Sequence, residues 1–455
     1  MTQQKNHGII TASCILQLSP NSDAKEASLI KSHDAARTTV QDAPKKKKAK
    51  KPHRGKKVIA VLLCIVLFFE ALYCFVVFTD IPLIKNLREA YISTALSTMS
   101  HQWLAKLFLP SYQVEQMQAR IDYGKDAQNN IISNRPAPSA TTDGTGVTEP
   151  DEPTDTTEPP VEQTAEEAFY ELFWELNRTS FEDYLQAHPD TLSDGWENIY
   201  INEAGLYDDG TEIYTSMGEQ VLAIDAKNQV LLVRVQGTGY QGVLAIAKDP
   251  SQLRCAPSAG IGSYGQFLET ITENHNGVLS MNGSGFIDPN GGGNGGQIAG
   301  YAMSEGKSYG THYGGGYKRI ELTQDNKMYV ADAYSDVASD VTDATEFYPA
   351  LIVDGQVLIT DDALWGINPR ACIGQSERDE ILMLVIEGRQ VDRSMGTGLI
   401  TCCEILKRHE GYNAINLDGG TTAVMWFDGE YVTMCSNREI QSRYLPNAWV
   451  YGNYE

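Results

Sequence analysis

The sequence predicts a mixed α+β protein, a strand-rich domain that follows a single transmembrane helix and a disordered linker. Three observations predict it. An apolar run, VIAVLLCIVLFFEALYCFVVF, fills positions 58–78. A stretch dominated by Pro, Thr, Asp and Glu, with TEPDEPTDTTEPPVEQ at its heart, occupies 135–163. Beyond about residue 198, short β-branched runs bounded by Gly, Asn or Asp dominate, and only two helical patterns interrupt them.

The elements follow in order. Residues 1–57 are polar and end in the block KKKKAKKPHRGKK, so they read as a disordered, basic cytoplasmic tail. The apolar run has the length a helix needs to cross a bilayer, which gives a transmembrane helix at 58–79. The basic block before it sets the N-terminus in the cytoplasm and the C-terminal domain outside the cell. A cleaved signal peptide fits less well, because a long polar segment precedes the run and no small-residue cleavage site follows. Glu70 within the run is taken as protonated or tolerated there; contact with a second membrane helix is the alternative.

Residues 80–134 show helical spacing at Leu83, Leu87, Tyr91 and Leu96, then Trp103, Leu104 and Leu107. They read as a juxtamembrane helical stalk, either a spacer or a self-association helix. The linker at 135–163 cannot bury a core. Residues 164–197 form a helical lead-in, opened by Thr164 and Glu167 at capping-box spacing. Residues 198–455 form the strand-rich domain. Its strands include VLAIDA, VLLVRV and GVLAIA, then 277–281, 319–322, 327–330, 350–353, 381–386, 414–417 and 448–451, with helices at 265–274 and 399–410.

Charge narrows the function. The chain of 455 residues carries a net charge of -23, and no Lys or Arg falls between Pro136 and Asn177. Nucleic acid, which needs clustered cations, is therefore not an expected partner. An anionic substrate would have to be held by local arginines against the average field. The exterior cysteines are Cys255, Cys372, Cys402, Cys403 and Cys435; five is an odd number, and their spacing fits no zinc pattern. No metal or cofactor is expected.

Three segments carry chemistry. In Val278–Gly296 a strand runs into Asn282-Gly283, and a glycine-rich loop with Asp288, Asn290 and Asn294 follows. Glycines there let the backbone approach a ligand. No Gly-Lys-Ser/Thr follows, and the closing acid of an EF-hand is missing, so neither a nucleotide loop nor that calcium loop fits; a plain surface loop remains open. In Trp365–Gly374 and the later Glu387-Gly388-Arg389, Arg370 and Arg389 flank a strand hairpin and present planar forks suited to a phosphate, with surface salt bridges as the alternative. In Tyr412–Asp428 a buried strand ends in Asp418-Gly419-Gly420-Thr421-Thr422, which is either a hairpin turn or a carboxylate set in a pocket.

Together these motifs resemble the phosphodiester glycosidase family, whose animal member removes N-acetylglucosamine from mannose-6-phosphate diesters. The resemblance rests on Asn282-Gly283, on Arg370-Ala371-Cys372-Ile373-Gly374, on Glu387-Gly388-Arg389, on Leu417 to Thr422, and on Arg443 with Pro446-Asn447-Ala448, in order between Tyr214 and Tyr451. It departs from the family at Gly396 to Thr401, where Gly398 and Thr401 replace the usual Thr and Glu, and at Asn-Gly-Ser-Gly-Phe; these changes bear on substrate choice. The resemblance implies hydrolysis of a sugar-1-phosphodiester, without a metal. Asp418 is expected as nucleophile or general base and Glu387 as a second acid/base or orienting group. Arg370 and Arg389 would hold the phosphate. Asn282, Gly283, Asp288, Thr397, Gly419, Gly420, Thr421 and Thr422 would line the substrate site. The expected partner is a carbohydrate or sugar-phosphate polymer of the cell envelope. The alternative is a catalytically inactive surface protein that binds or assembles polysaccharide.

Overall fold

The computed structural model describes residues 54–98, 102–136, 163–314 and 316–452. The basic tail before Arg54 and linker positions 137–162 lie outside the described residues. Helix α1, Arg54–Phe78, contains an 18-residue apolar window with mean hydropathy 2.8, and the helix is long enough to span a membrane or to serve as a signal sequence. The chain divides into two units, one up to Val66 and one from Leu67, and the second holds every element after α1.

Helices α2 (Pro82–Leu96), α3 (Trp103–Phe108) and α4 (Ser111–Asp126) come first. They share a small core of Ile92, Ala95, Ala105, Val114, Met117 and Ile121. Their inward face is not the one marked by the large apolar residues, because Leu83, Leu87, Trp103 and Leu107 stand exposed. Leu96 and Leu104, from the same predicted set, do pack against this core.

After α4 the chain is stitched into the strand-rich part. The Gln128 amide exchanges two buried hydrogen bonds of 3.0 Å with the backbone of Ala350. Ser133 pairs with Val330 and with Asn413, and Arg135 bridges to Glu321 at 2.8 Å and to Asp340 at 2.5 Å. On the other side of the linker, α5 (Ala165–Leu172) opens with a full capping box between Thr164 and Glu167, and α6 (Arg178–Ala187) follows.

A nine-stranded antiparallel sheet forms the centre. Its order is Tyr200–Asn202, Gln220–Asp225, Val230–Gly237, Tyr240–Ala247, Ile381–Ile386, Arg370–Ser376, Gly411–Asn416, Ala350–Val353 and Gln356–Val357. Two further helices, α7 (Leu268–Asn274) and α8 (Leu399–Arg408), lie among the strands in sequence. Both faces of the central sheet are buried, so its strands read as continuous apolar runs. Alternation sorts their side chains: Val230 and Leu232 face one core, whereas Leu231, Val233 and Val235 face the other, under α5, α6 and α8. Two five-stranded sheets close the first core. One is built around Lys318–Thr323 and Val341–Phe347, the other around Gly277–Asn282 and Asn447–Gly452. The strand-rich α+β architecture expected from sequence is the one observed.

Candidate active site

Where the central sheet meets the two smaller ones, the strand Gly411–Asn416 ends and the chain turns at Asp418. Three bonds fix that end. Asn416 N donates to the Pro349 carbonyl at 3.0 Å, Leu417 N to Ala371 at 2.7 Å, and the Asn282 amide to the Asp418 carbonyl at 2.7 Å. Gly419 is obligatory, since a Cβ there would lie 2.6 Å from the Pro369 carbonyl oxygen. Gly420 has φ of +66°, in the region glycine favours. Thr422 closes the turn by donating to the Gly419 carbonyl at 2.6 Å.

The turn opens into a cavity of about 450 Å³, whose walls include Asp418 to Thr422, Asp288, Arg370, Arg389 and Arg443. Asp418 is reached from the cavity yet enclosed by protein. Burial pushes its carboxyl up to about 6; a hydrogen bond from Thr422 and the charge of Arg443 only partly offset this, and Asp288 adds to the rise.

The two predicted phosphate-binding arginines differ. Arg370 is buried, and burial lowers its pKa. Its guanidinium donates to three carbonyls, those of Thr397 (3.1 Å), Trp365 (2.7 Å) and Gly366 (2.6 Å). It therefore organises the 365–366 loop, and the residue also lines the cavity. Arg389 is exposed to the cavity and adopts φ of +61° at the end of the hairpin. Its Nη2 reaches the Asn368 Oδ1 at 3.5 Å, and the Gly420 Cβ position lies 3.1 Å from the same nitrogen. The enclosing protein lowers Arg389 while the Asp418 carboxylate raises it; a guanidinium stays charged throughout. Neither arginine has a carboxylate at ion-pair distance among the described residues.

Asp288 lines the cavity but is held by Arg443 through a fork, Nη1–Oδ2 at 2.6 Å and Nη2–Oδ1 at 2.9 Å, and that pairing keeps its carboxyl below the usual range. Arg443 also stacks over Phe286 at 4.8 Å.

Other predicted residues sit elsewhere. Glu387 is buried at the end of its strand, where Arg393 and the Met434 N–H (2.8 Å) saturate its carboxylate, and it lines a separate depression with Leu206 and Asp208. The structure does not bring it to Asp418. Asn282 and Gly283 lie behind the turn: Asn282 is fully buried, and a Cβ on Gly283 would meet the Asn447 amide at 2.6 Å. Thr397 is buried and pairs with Asn368. The unusual Gly398 has a counterpart in Asp362, whose carboxylate fills the space of the missing side chain and accepts from Ile400 N at 2.8 Å, capping α8.

Several lining residues were not chosen from sequence. Asn416 is the last residue of the strand that leads to Asp418, two positions before it; its Oδ1 is buried without a partner among the described residues. Alternation along the strand would have found it. Asn368, Tyr348 and Lys125 also line the cavity, and no local pattern marks them.

The fold and site thus define a strand-rich α+β domain with one raised-pKa carboxylate in a cation-lined cavity. Residues 275–451 match the phosphodiester glycosidase family model, so the chain is similar to that family over this segment. No curated protein matches the chain. Among solved structures, it is similar to the catalytic domain of zebrafish N-acetylglucosamine-1-phosphodiester alpha-N-acetylglucosaminidase, auto-inhibited by its pro-peptide, at 17% identity over 49% of this chain and 82% of that one, with a TM-score of 0.40. A hypothetical protein from Synechocystis matches at 12% identity over 51% and 63%, with a TM-score of 0.36. An exported protein from Burkholderia pseudomallei matches at 14% over 47% and 74%, with a TM-score of 0.38.

Proposed function

We propose that the chain is a membrane-anchored hydrolase that cleaves sugar-1-phosphodiester bonds in the cell envelope. The observation that carries this reading is Asp418, a carboxylate raised to about 6 beside Arg389, which has no carboxylate partner among the described residues. At neutral pH the carboxylate is ionised and can act as nucleophile or general base at the anomeric carbon. Arg389 holds the phosphate, and the Arg370 guanidinium adds its charge to the same cavity. Asn416 lines the same cavity beside them. Glycoside hydrolysis ordinarily uses a second carboxyl as acid. Here Asp288, tied to Arg443, stays anionic, and the phosphate leaves without a strong proton donor because a phosphomonoester is already a fair leaving group.

The family match over 275–451 supports the reaction class. The length and hydropathy of α1 support anchoring, and the basic block before it in the sequence favours a domain outside the cell. The test is release of sugar from an aryl N-acetylglucosamine-1-phosphodiester by the full chain in detergent, beside Asp418→Asn. Turnover lost in the variant supports the assignment. Turnover that survives in Asp418→Asn removes Asp418 from the mechanism. An absence of turnover with retained binding of envelope polymer favours a binding or assembly protein.

A further inference from the structure

The cavity has a wall that lies outside the family-matched segment. Ser93, Ser97 and Gln118 from α2, its C-terminal end and α4 line it, together with Lys125 near the end of α4. These helices are docked, not draped. Thr94 Oγ1 accepts from Ile367 N at 3.0 Å, Ser97 Oγ accepts from the Asn368 amide at 2.9 Å, and Arg120 pairs with Asp361 at 3.0 Å. Gly366 has no room for a side chain, since a Cβ would lie 2.6 Å from the Thr94 nitrogen. The loop they grip is the one Arg370 holds from within, and Asn368 in turn reaches Arg389.

Lys125 is the cation of this wall. It is half-buried, and its ammonium sits 4.1 Å from the centre of the Tyr348 ring. No carboxylate lies at ion-pair distance and no hydrogen-bond acceptor is matched to it among the described residues. A lysine placed for structure would swing its head to bulk water or to an acid. Here the stem packs against Gly316, where a Cβ would lie 2.5 Å from the lysine's own, and Lys125 and the Tyr348 ring under its ammonium line the same cavity as Asp418, Arg370 and Arg389. With Arg443 neutralised by Asp288 and most of Arg370 committed to carbonyls, Lys125 and Arg389 are the cavity cations with donors to spare.

We infer that Lys125 is a substrate-binding residue, which places an anion-binding ammonium from the N-terminal helices opposite Arg389, so that the site takes a phosphate-bearing sugar between the two walls. This rests on the proposed function for the identity of the anion, and makes the N-terminal helices part of the site that selects it.

The experiment uses the full chain in detergent and compares wild type with Lys125→Met, which keeps the stem, and Lys125→Arg, which keeps the charge. Calorimetry measures binding of N-acetylglucosamine 1-phosphate, and turnover of the aryl diester is followed in parallel. Lys125→Met is expected to weaken binding and raise KM together by about three- to tenfold, with kcat within about twofold and an unchanged melting temperature, while Lys125→Arg stays near wild type. Equal binding by wild type and Lys125→Met overturns the inference, as does failure of the wild type to bind. Equal losses in both variants with a lowered melting temperature mean that Lys125 only packs, and also overturn it. Sound binding without turnover, by contrast, removes the proposed hydrolysis and leaves the binding role of Lys125 standing.

Discussion

The side-chain amide of Asn282 donates a 2.7 Å hydrogen bond to the backbone carbonyl of Asp418, so the first motif of the sequence supports the last from behind. The contact is made to main chain, and its effect on chemistry is the aim of the Asp418 carboxylate. Replacing Asn282 by Ala should lower kcat by roughly ten- to a hundredfold with little change in KM, since a carboxylate displaced by even an ångström loses its line of approach. Steady-state kinetics of the purified variant check this; a change confined to KM would instead place Asn282 against substrate.

The raised Asp418 carboxyl sets a pH dependence. In the proposed reaction the group works ionised, so kcat/KM should climb as pH rises from 5 through about 6 and then level off. A rate profile across pH 4.5–8 measures it. A profile that instead falls above pH 6 would assign Asp418 the role of proton donor.

The same group ties stability to pH. Its folded pKa lies above the ordinary value of 3.8, so the folded state holds the proton more tightly, and stability declines as pH rises from about 4 to about 6 and stays lower above that. The shift corresponds to at most about 3 kcal/mol, less whatever cavity water recovers. Asp418→Asn should therefore raise the melting temperature at pH 7.5 and leave it nearly unchanged at pH 4. Thermal denaturation at the two pH values checks the difference.

Arg370 and Arg389 should separate by experiment. Arg370→Lys cannot reproduce a guanidinium shared among three carbonyls and should cost about 2–4 kcal/mol of stability, with activity falling alongside. Arg389→Lys should leave the melting temperature within a degree or two and raise KM severalfold. Denaturation curves and kinetics on the two variants would reverse the assignment if Arg389→Lys proved the less stable protein.

Much of the fold was legible in the sequence. The strands 350–353 and 381–386 are found where the apolar runs placed them, because both faces of the central sheet are buried and burial writes itself as hydrophobicity. The strand Arg370–Ser376 was harder: Arg370, Gly374, Gln375 and Ser376 interrupt its pattern, yet all are buried, with specific hydrogen bonds offsetting the burial of their polar groups. The Asp418 turn was visible from its glycines. Glu387 was chosen because Glu387-Gly388-Arg389 resembles the family's acidic-Gly-Arg step, but only Arg389 lines the Asp418 cavity, while Glu387 lines a separate depression. Lys125 was out of reach, since it lies on a helix far in sequence from the motifs around Asp418 and no neighbour of it marks the pocket.

The hydrogen bonds from Gln128, Ser133 and Arg135 have a practical consequence for handling the protein. Because the chain is fastened on both sides of positions 137–162, a protease that cut there would sever the covalent connection without separating the pieces. The nicked protein should give two bands on a denaturing gel and a single peak on a sizing column, with the short fragment still supplying its share of the pocket. A product made by starting translation at Thr164, by contrast, would lack Gln128 beneath Ala350 and Lys125 beside Tyr348, and would be missing a wall as well as helix α1.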